Sequence, residues 1–534
     1  MRKHIARFYS KVLQDIMGYG RSARRRAGRI MTAAEVAMSQ VDVLVVGAGP
    51  VGLTVAAELA RRGVHSRIID QSQGPSATSK AIAIQPRTLE IFKHMGVVDE
   101  VLARGFAVDA GNFYWNSRPL GRVDFQQIDS PYRFILDLPQ NETEEVLLEH
   151  LARTGLIVER DTRLLNFDQD AEGITVQVAQ PAGTETIRSA YVIGCDGAYS
   201  TVRHNLGLES STSPEHEVLI LGDVDIDWVY PHELHMFMHN DGFLVCFPLP
   251  AGRYRLIAEV TAQERPSLQN GNERPPKATL ERFREIVRQR ADPSANVTEV
   301  TWLAGFRVRH QVVQNYGKGR AFVAGDAAHV PSPAGGQGMN TGIQDACNLA
   351  WKIQLALHGQ ASDRLLDSYS AERAPVGREM VALSDRMGHK PVSDVAALVD
   401  QISEIGIHYH ESPIVAQDWT EDAGPAPGDR APLVDGLDGS GHHLLMFTAN
   451  DADLPALRRV SELMPKSLVY PTLVSTTAVE WDAPVIIDAN RKIHQSYGAK
   501  TSCVYLIRPD GYVGYRACPP DPERMSDYLK MVFR

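Results

Sequence analysis

The sequence predicts an α/β fold in three parts: a discontinuous Rossmann-like domain built around a G-x-G-x-x-G loop, an antiparallel-sheet domain set into it, and a small α/β domain at the C-terminal end. Three observations predict this. Residues 41–70 read VDVLVVGAGPVGLTVAAELARRGVHSRIID: an apolar strand, three glycines, an amphipathic helix, and a second strand closed by an acid. Two later segments, 191–203 and 319–342, again run from an apolar strand into an Asp-Gly or Gly-Asp turn. Between 223 and 305 the pattern changes to period-two alternation, with Leu234, Met236 and Met238 interleaved by His235, Phe237 and His239.

A chain of 534 residues suits two or three domains, and 43% hydrophobic with 22% charged residues is the composition of a globular protein. A net charge of −10 argues against a nucleic-acid partner, which needs clustered basic residues. The five cysteines are dispersed, with no C-x-x-C and no metal-ligand spacing, so neither a disulfide framework nor a zinc site is expected. The uncharged run from Val43 to Ala57 is short and broken by Gly47, Gly49 and Pro50, so no stable membrane insertion is expected.

Residues 1–40 form a basic leader whose only acids are Asp15 and Glu35. The expectation is a disordered leader, or one ahead of a working start at Met31 or Met38, in a cytoplasmic protein. A removable organelle-targeting segment and a membrane-surface helix stay open as alternatives.

Val41 to Val46 reads as a buried parallel strand. Gly47, Gly49 and Gly52 follow at the strand-to-helix junction, where the backbone must turn tightly and approach a pyrophosphate, and Asp70 stands where an acid accepts hydrogen bonds from an adenosine ribose. Further on, Met339, Ile343, Ala346, Ala350, Ile353 and Leu357 follow helical spacing, so a helix begins just after the glycines of the Pro333–Gly338 loop. Its N-terminus offers unpaired N–H groups and a positive dipole end to a negatively charged ring.

Taken in order, the glycine loop, the Asp196-Gly197 turn and the Gly325-Asp326 turn resemble the flavoprotein aromatic hydroxylases, the single-component FAD monooxygenases of the p-hydroxybenzoate hydroxylase fold. The resemblance spans about Val41 to Pro375. It implies that Gly47, Gly49 and Gly52 hold the FAD pyrophosphate and Asp70 the ribose. Lys80, with Arg87 in the run Arg87-Thr-Leu-Glu90, contacts the cofactor, as does Gln140 in Leu138-Pro-Gln-Asn. Asp196 and Gly197 serve FAD and NAD(P)H, and Gly325 and Asp326 meet the flavin's hydroxyls. Pro333, Gly338, Met339 and Asn340 belong to the loop and helix start beside the ring. Many relatives carry Arg where Lys80 stands, and Lys lacks the bidentate fork.

The implied reaction takes NAD(P)H and O2 and hydroxylates a phenolic or polycyclic aromatic compound through a flavin C4a-hydroperoxide, with oxygen insertion into a ring ketone as a variant. A reductase or dehydrogenase on the same fold and a non-catalytic flavin-bearing binder of aromatic ligands are the alternatives. No catalytic base is assigned. His235, His239, Tyr254 and Arg255 are candidates to orient a phenol, and His329 is read as a loop hydrogen-bonder with no companion metal ligands.

The expected division is an FAD-binding domain over 41–222, with a substrate-domain insertion at about 111–135, a substrate domain over 223–304, and the second part of the FAD-binding domain with helices over 305–415. A Pro/Gly-rich linker follows at 416–432. Residues 433–534 resemble the thioredoxin-like C-terminal domain of phenol and polyketide hydroxylases. Cys503 and Cys518 lie too far apart for a C-x-x-C, so scaffolding or a homodimer contact is expected of it rather than redox work.

Overall fold

The computed structural model describes residues 39–76, 79, 81–213, 217–260, 278–389, 395–419, 423–437 and 440–534. Residues 1–38 of the leader and Lys80 lie outside the described residues, and the leader's last two residues, Ser39 and Gln40, begin the first strand.

The run 41–70 folds as strand Ser39–Val46, helix Pro50–Arg61 and strand Ser66–Ile69. Pro50 opens the helix, where its missing N–H goes unneeded, and Gly63 with φ +71 takes the left-handed turn after the helix. The two strands pair in parallel, and Ser39–Val46 also pairs in parallel with Gly183–Gly194, which in turn pairs with Ala321–Val323. These four are the centre of an eight-stranded sheet. Val43, Leu44 and Val45 are fully buried, as a parallel strand covered on both faces requires.

A seven-stranded sheet runs in the order Asn296–Val308, Glu217–Asp227, Arg253–Glu259, Leu244–Pro248, Leu234–Met238, Ala110–Trp115, Arg118–Asp124. It is mixed rather than wholly antiparallel. Leu234–Met238 and Ala110–Trp115 run parallel, because the latter arrives from another part of the chain and not through a hairpin. Strand Glu217–Asp227 begins ahead of the boundary expected at 223, and Asn296–Val308 crosses the one at 304. Both faces of the sheet are covered. Leu219 and Leu221 join one apolar cluster with Met236, Phe247 and Ala334, while Val218, Ile220 and Val224 join another with Phe283 and Ile286 of helix Leu280–Arg290. Period-two alternation therefore marks two buried faces here, not one wet and one dry.

The C-terminal part forms a six-stranded mixed sheet in the order Ala416–Trp419, Val513–Cys518, Cys503–Ile507, His442–Phe447, Val469–Ser475, Val485–Ile487. The stretch 416–432 is thus no bare linker. Its first four residues add an edge strand in parallel with Val513–Cys518, and Trp419 packs against the buried cluster around Tyr505. The Pro/Gly density that suggested a linker starts only after that strand. The antiparallel register that pairs Val504 with Ala517 sets Cys503 opposite Cys518, and neither is in a disulfide. No helix among the described residues is long and apolar enough to cross a membrane.

Candidate functional site

Four parallel strands end side by side. Val46 is level with Gly194 and with Ile69, and Gly194 with Val323. The residues that follow are Gly47, Cys195 with Asp196, Asp70, and Ala324 with Gly325, so four candidate segments far apart in sequence form one row at the carboxyl edge of the sheet. Ligands of open α/β sheets bind at that edge.

The three glycines of the loop answer different demands. Gly47 has φ +101, and a Cβ there would lie 2.3 Å from the Cys195 carbonyl oxygen; at Gly52 a Cβ would lie 1.9 Å from the Gly47 carbonyl oxygen. These two let the backbone pack on itself. Gly49 has an ordinary φ of −77, and a Cβ there would meet no protein atom within 4 Å. Neither conformation nor packing calls for glycine at 49, which leaves close approach of something from outside the chain. Asp70 faces the same loop. Its Oδ2 accepts the Ala48 N–H at 2.7 Å and its Oδ1 the Ser72 N–H at 2.7 Å, leaving further lone pairs on both oxygens.

Asp196 caps helix Thr201–Leu206. It accepts from the Ser200 hydroxyl at 2.5 Å and the Thr201 N–H at 2.7 Å, and burial pushes its carboxyl up against the pull of those bonds. Gly197 turns at φ +78. Gly325, at φ +60, packs where a Cβ would lie 2.8 Å from Val51, and exposed Asp326 follows it. Gln140 opens helix Gln140–Arg153, accepts the Ala81 N–H at 3.2 Å and donates to Glu144 at 2.8 Å.

Pro333 begins a short 3-10 turn and Gly338 the helix Gly338–Leu357. Met339 and Asn340 are buried in its first turn. Asn340 accepts the Gln85 N–H at 2.9 Å and donates to the Ala83 and Gly336 carbonyls, each at 2.9 Å, so it ties the glycine loop to strand Ala83–Ile84.

Arg87 corrects an expectation. Its guanidinium is engaged by Glu90 at 2.8 Å and by the Asp510 carbonyl at 2.7 Å, and it lies over the Tyr512 ring. It joins the C-terminal part and offers no free fork to a cofactor. His235 and Tyr254 are corrected likewise: both point to the helix Leu280–Arg290 side, where each bonds the Pro231 carbonyl. His239 accepts the Asp241 N–H beyond the end of its strand. Of the four substrate candidates, Arg255 alone projects to the Pro333 side, and it is held by Asp223 at 2.7 Å and Ser79 at 2.7 Å.

One network escaped sequence reading. Asp345, fully buried on helix Gly338–Leu357, accepts the Gly325 N–H at 3.0 Å, His329 at 2.7 Å and Arg373 at 2.7 Å. Burial works to raise its carboxyl, but Arg373 and His329 outweigh that and hold it below the usual range. It thus anchors the Gly325-Asp326 turn to the helix. The signal was an acid beside Ala346 on the buried stripe of that helix. Glu404, missed as well, accepts from Thr341 at 2.7 Å and from Gln344 in the same helix, and burial pushes its carboxyl up to about 8.

A dinucleotide with a flavin ring fits these residues: an open glycine at 49, an acid at the end of the second strand, and a glycine-rich helix start at 336–338. Among the described residues no group of His, Cys, Asp and Glu is arranged to hold a metal. A cavity of about 870 Å³ beside Arg458, Tyr470 and Trp481 lies in the C-terminal part, and none of the strand-end residues lines it. Volume alone therefore does not locate the chemistry.

Residues 40–384 match the family model of the FAD binding domain. The chain is 32% identical over 524 residues to a 6-methylpretetramide 4-monooxygenase of Streptomyces rimosus, covering 88% of this chain and 90% of that one. It is 33% identical over 521 residues to a pentachlorophenol 4-monooxygenase of Sphingobium chlorophenolicum, covering 89% and 93%. Among solved structures, aklavinone-11 hydroxylase in complex with FAD and aklavinone superposes with a TM-score of 0.73 at 27% identity, covering 92% of this chain and 98% of that one. With the family model and these relatives matching most of its length, the chain belongs to the FAD-dependent aromatic monooxygenases.

Proposed function

We propose that the protein uses NAD(P)H and O2 to hydroxylate a phenolic or polycyclic aromatic compound, with FAD lying along the row of strand ends. The observation that carries this reading is the packing of the turn before helix Gly338–Leu357 against the apolar face of the seven-stranded sheet, where we place the substrate chamber. Ala334, in the turn before helix Gly338–Leu357, shares one buried cluster with Phe113, Met236 and Phe247 of the seven-stranded sheet. Bound FAD supplies the electron transfer and oxygen activation, so no side chain need serve as nucleophile.

Gly47, Gly49 and Gly52 would receive the pyrophosphate, Asp70 the adenosine ribose and Asp326 the flavin's hydroxyls. Asp345 and Arg373 keep the Gly325 turn in place, and the start of helix Gly338–Leu357 would offer its N–H groups and dipole to charge on the ring. The apolar lining holds a flat ring and excludes water. Asp196 and Gly197, at the same edge, are the residues we assign to the nicotinamide donor as well. The aromatic substrates named for the relatives support the substrate class.

We read the parallel sheet as a Rossmann-like FAD domain over 41–222 and 305–415, the seven-stranded sheet as the substrate domain, and the C-terminal sheet as a thioredoxin-like scaffold or dimer contact. The parallel pairing at the strand ends supports the first of these.

The test is turnover by the FAD-loaded chain with a panel of aromatics. Consumption of NAD(P)H that rises with an aromatic, and a product heavier by one oxygen, is expected. Consumption without oxygen uptake would replace this reading with a reductase, and a ligand-induced flavin spectral change without consumption would replace it with a binder.

A further inference from the structure

Asp137 is 1% exposed, and neither of its carboxyl oxygens has a hydrogen-bond partner. Buried polar side-chain atoms are paired in the large majority of cases, so two orphans on one group call for an explanation.

The strand register shows where the group points. Asp137 ends strand Ile135–Asp137 and stands opposite Ala83 on one side and Phe106 on the other, both antiparallel. Residues directly opposed in such pairs project to the same face, and residues two apart in a strand share it. Ala83, Phe106 and Ile135 all pack in the cluster that contains Ala334, Met236 and Phe247. Leu136 and Leu138 go the other way, into the core of the parallel sheet. The Asp137 carboxyl is therefore aimed into the apolar cluster between the seven-stranded sheet and the Pro333–Gly335 turn, where we place the substrate chamber.

Among the described residues the cation acting on it, Arg255, is engaged elsewhere. Arg255 gives Nε and Nη2 to Asp223, at 2.7 and 2.9 Å, and Nη1 to the Ser79 hydroxyl at 2.7 Å. Burial pushes the Asp137 carboxyl well above its ordinary range, and Arg255 draws it back only in part. A neutral carboxyl both donates and accepts, which suits a ligand hydroxyl in a dry chamber.

We propose that Asp137 is the specificity-determining contact of the substrate chamber, the group that exchanges a hydrogen bond with a ring hydroxyl of the aromatic substrate. The proposal rests on the reading of that chamber as the substrate site. It deepens that reading by selecting hydroxylated aromatics over their ethers, because an ether leaves the buried carboxyl with no donor to accept from.

The experiment uses the FAD-loaded full chain with 2-naphthol and 2-methoxynaphthalene as probes, and dissociation constants are read from the flavin absorbance change. Wild type is expected to favour 2-naphthol by about tenfold or more. Asp137→Leu should reduce that preference to about twofold while FAD content stays at the wild-type level, and Asp137→Ala serves as a second apolar variant where leucine does not fit. Asp137→Asn, which keeps a donor and an acceptor, should retain most of the preference.

Equal binding of the two probes by wild type, or a preference that survives in both apolar variants, overturns the Asp137 proposal and leaves the chamber reading standing. Binding of neither probe by wild type overturns the chamber reading, and the proposal with it. Loss of FAD from the apolar variants with unchanged discrimination in the loaded remainder assigns the carboxyl to the flavin and also overturns the proposal.

Discussion

Arg87 and Asp510, 423 positions apart in the chain, meet at 2.7 Å: the Arg87 Nη2 donates to the backbone carbonyl of Asp510. Asp510 continues the contact with its side chain, which accepts from Asn348 at 3.1 Å and Trp351 at 3.3 Å of helix Gly338–Leu357 and from Arg508. The helix that begins at the glycine-rich loop is therefore buttressed at its middle by a turn of the C-terminal sheet. Lys352 and Glu372, paired at 2.8 Å and fully buried, extend the same junction, with Arg508 bridging to Glu372 at 2.7 Å.

From this contact we expect Arg87→Ala to destabilise the fold. Removing one partner of a buried ion pair typically costs roughly 3–5 kcal/mol. The loss here should fall at the lower end, because Ser130 and Arg430 remain beside Glu90. Denaturant unfolding measures it. Folded Arg87→Ala should still bind FAD, and a variant with normal stability and no FAD would return Arg87 to the cofactor site.

The glycine loop should separate folding from binding. Gly49→Val is expected to leave the fold of the FAD-free protein intact and to lose most FAD, because a side chain at 49 meets nothing in the protein. Gly52→Ala collides with the Gly47 carbonyl and should cost about 1–3 kcal/mol or more of stability. Flavin absorbance per chain and thermal melting of the FAD-free protein distinguish the two.

Asp326→Ala should weaken flavin retention, since the exposed carboxylate follows the Gly325 turn at the row of strand ends. Dissociation constants from flavin fluorescence quenching measure this. An unchanged constant would remove Asp326 from the site.

Glu404 makes stability depend on pH in a stated direction. Its folded-state value of about 8 lies above the ordinary 4.5, so the folded chain holds a proton there that the unfolded chain has released. The contribution is full below about pH 4.5 and is lost as pH rises through about 8. Glu404→Gln should flatten the fall in melting temperature between those values. An identical pH profile in wild type and variant would show that the group carries no such proton.

Replacing Cys503 and Cys518 together by Ser should leave turnover per FAD-loaded molecule unchanged, with a stability loss of about 1–3 kcal/mol from a hydroxyl at buried position 503. A large loss of turnover in the folded double variant would assign redox work to this opposed pair.

What the sequence determined by itself was local. The strand, glycine loop, helix and acid of 41–70 were legible because period, φ and approach distance act within a few residues. The start of helix Gly338–Leu357 was legible for the same reason. The tertiary structure alone decided which face each strand turned inward. His235 and Arg255 read alike as strand polars, yet one faces helix Leu280–Arg290 and the other the Pro333 side. Arg87, Asp137 and Asp345 took their roles from partners, or from the lack of them, that only the packed chain sets around them. Burial and pairing are properties of a neighbourhood assembled from distant segments, and neither period nor composition encodes who the neighbours will be.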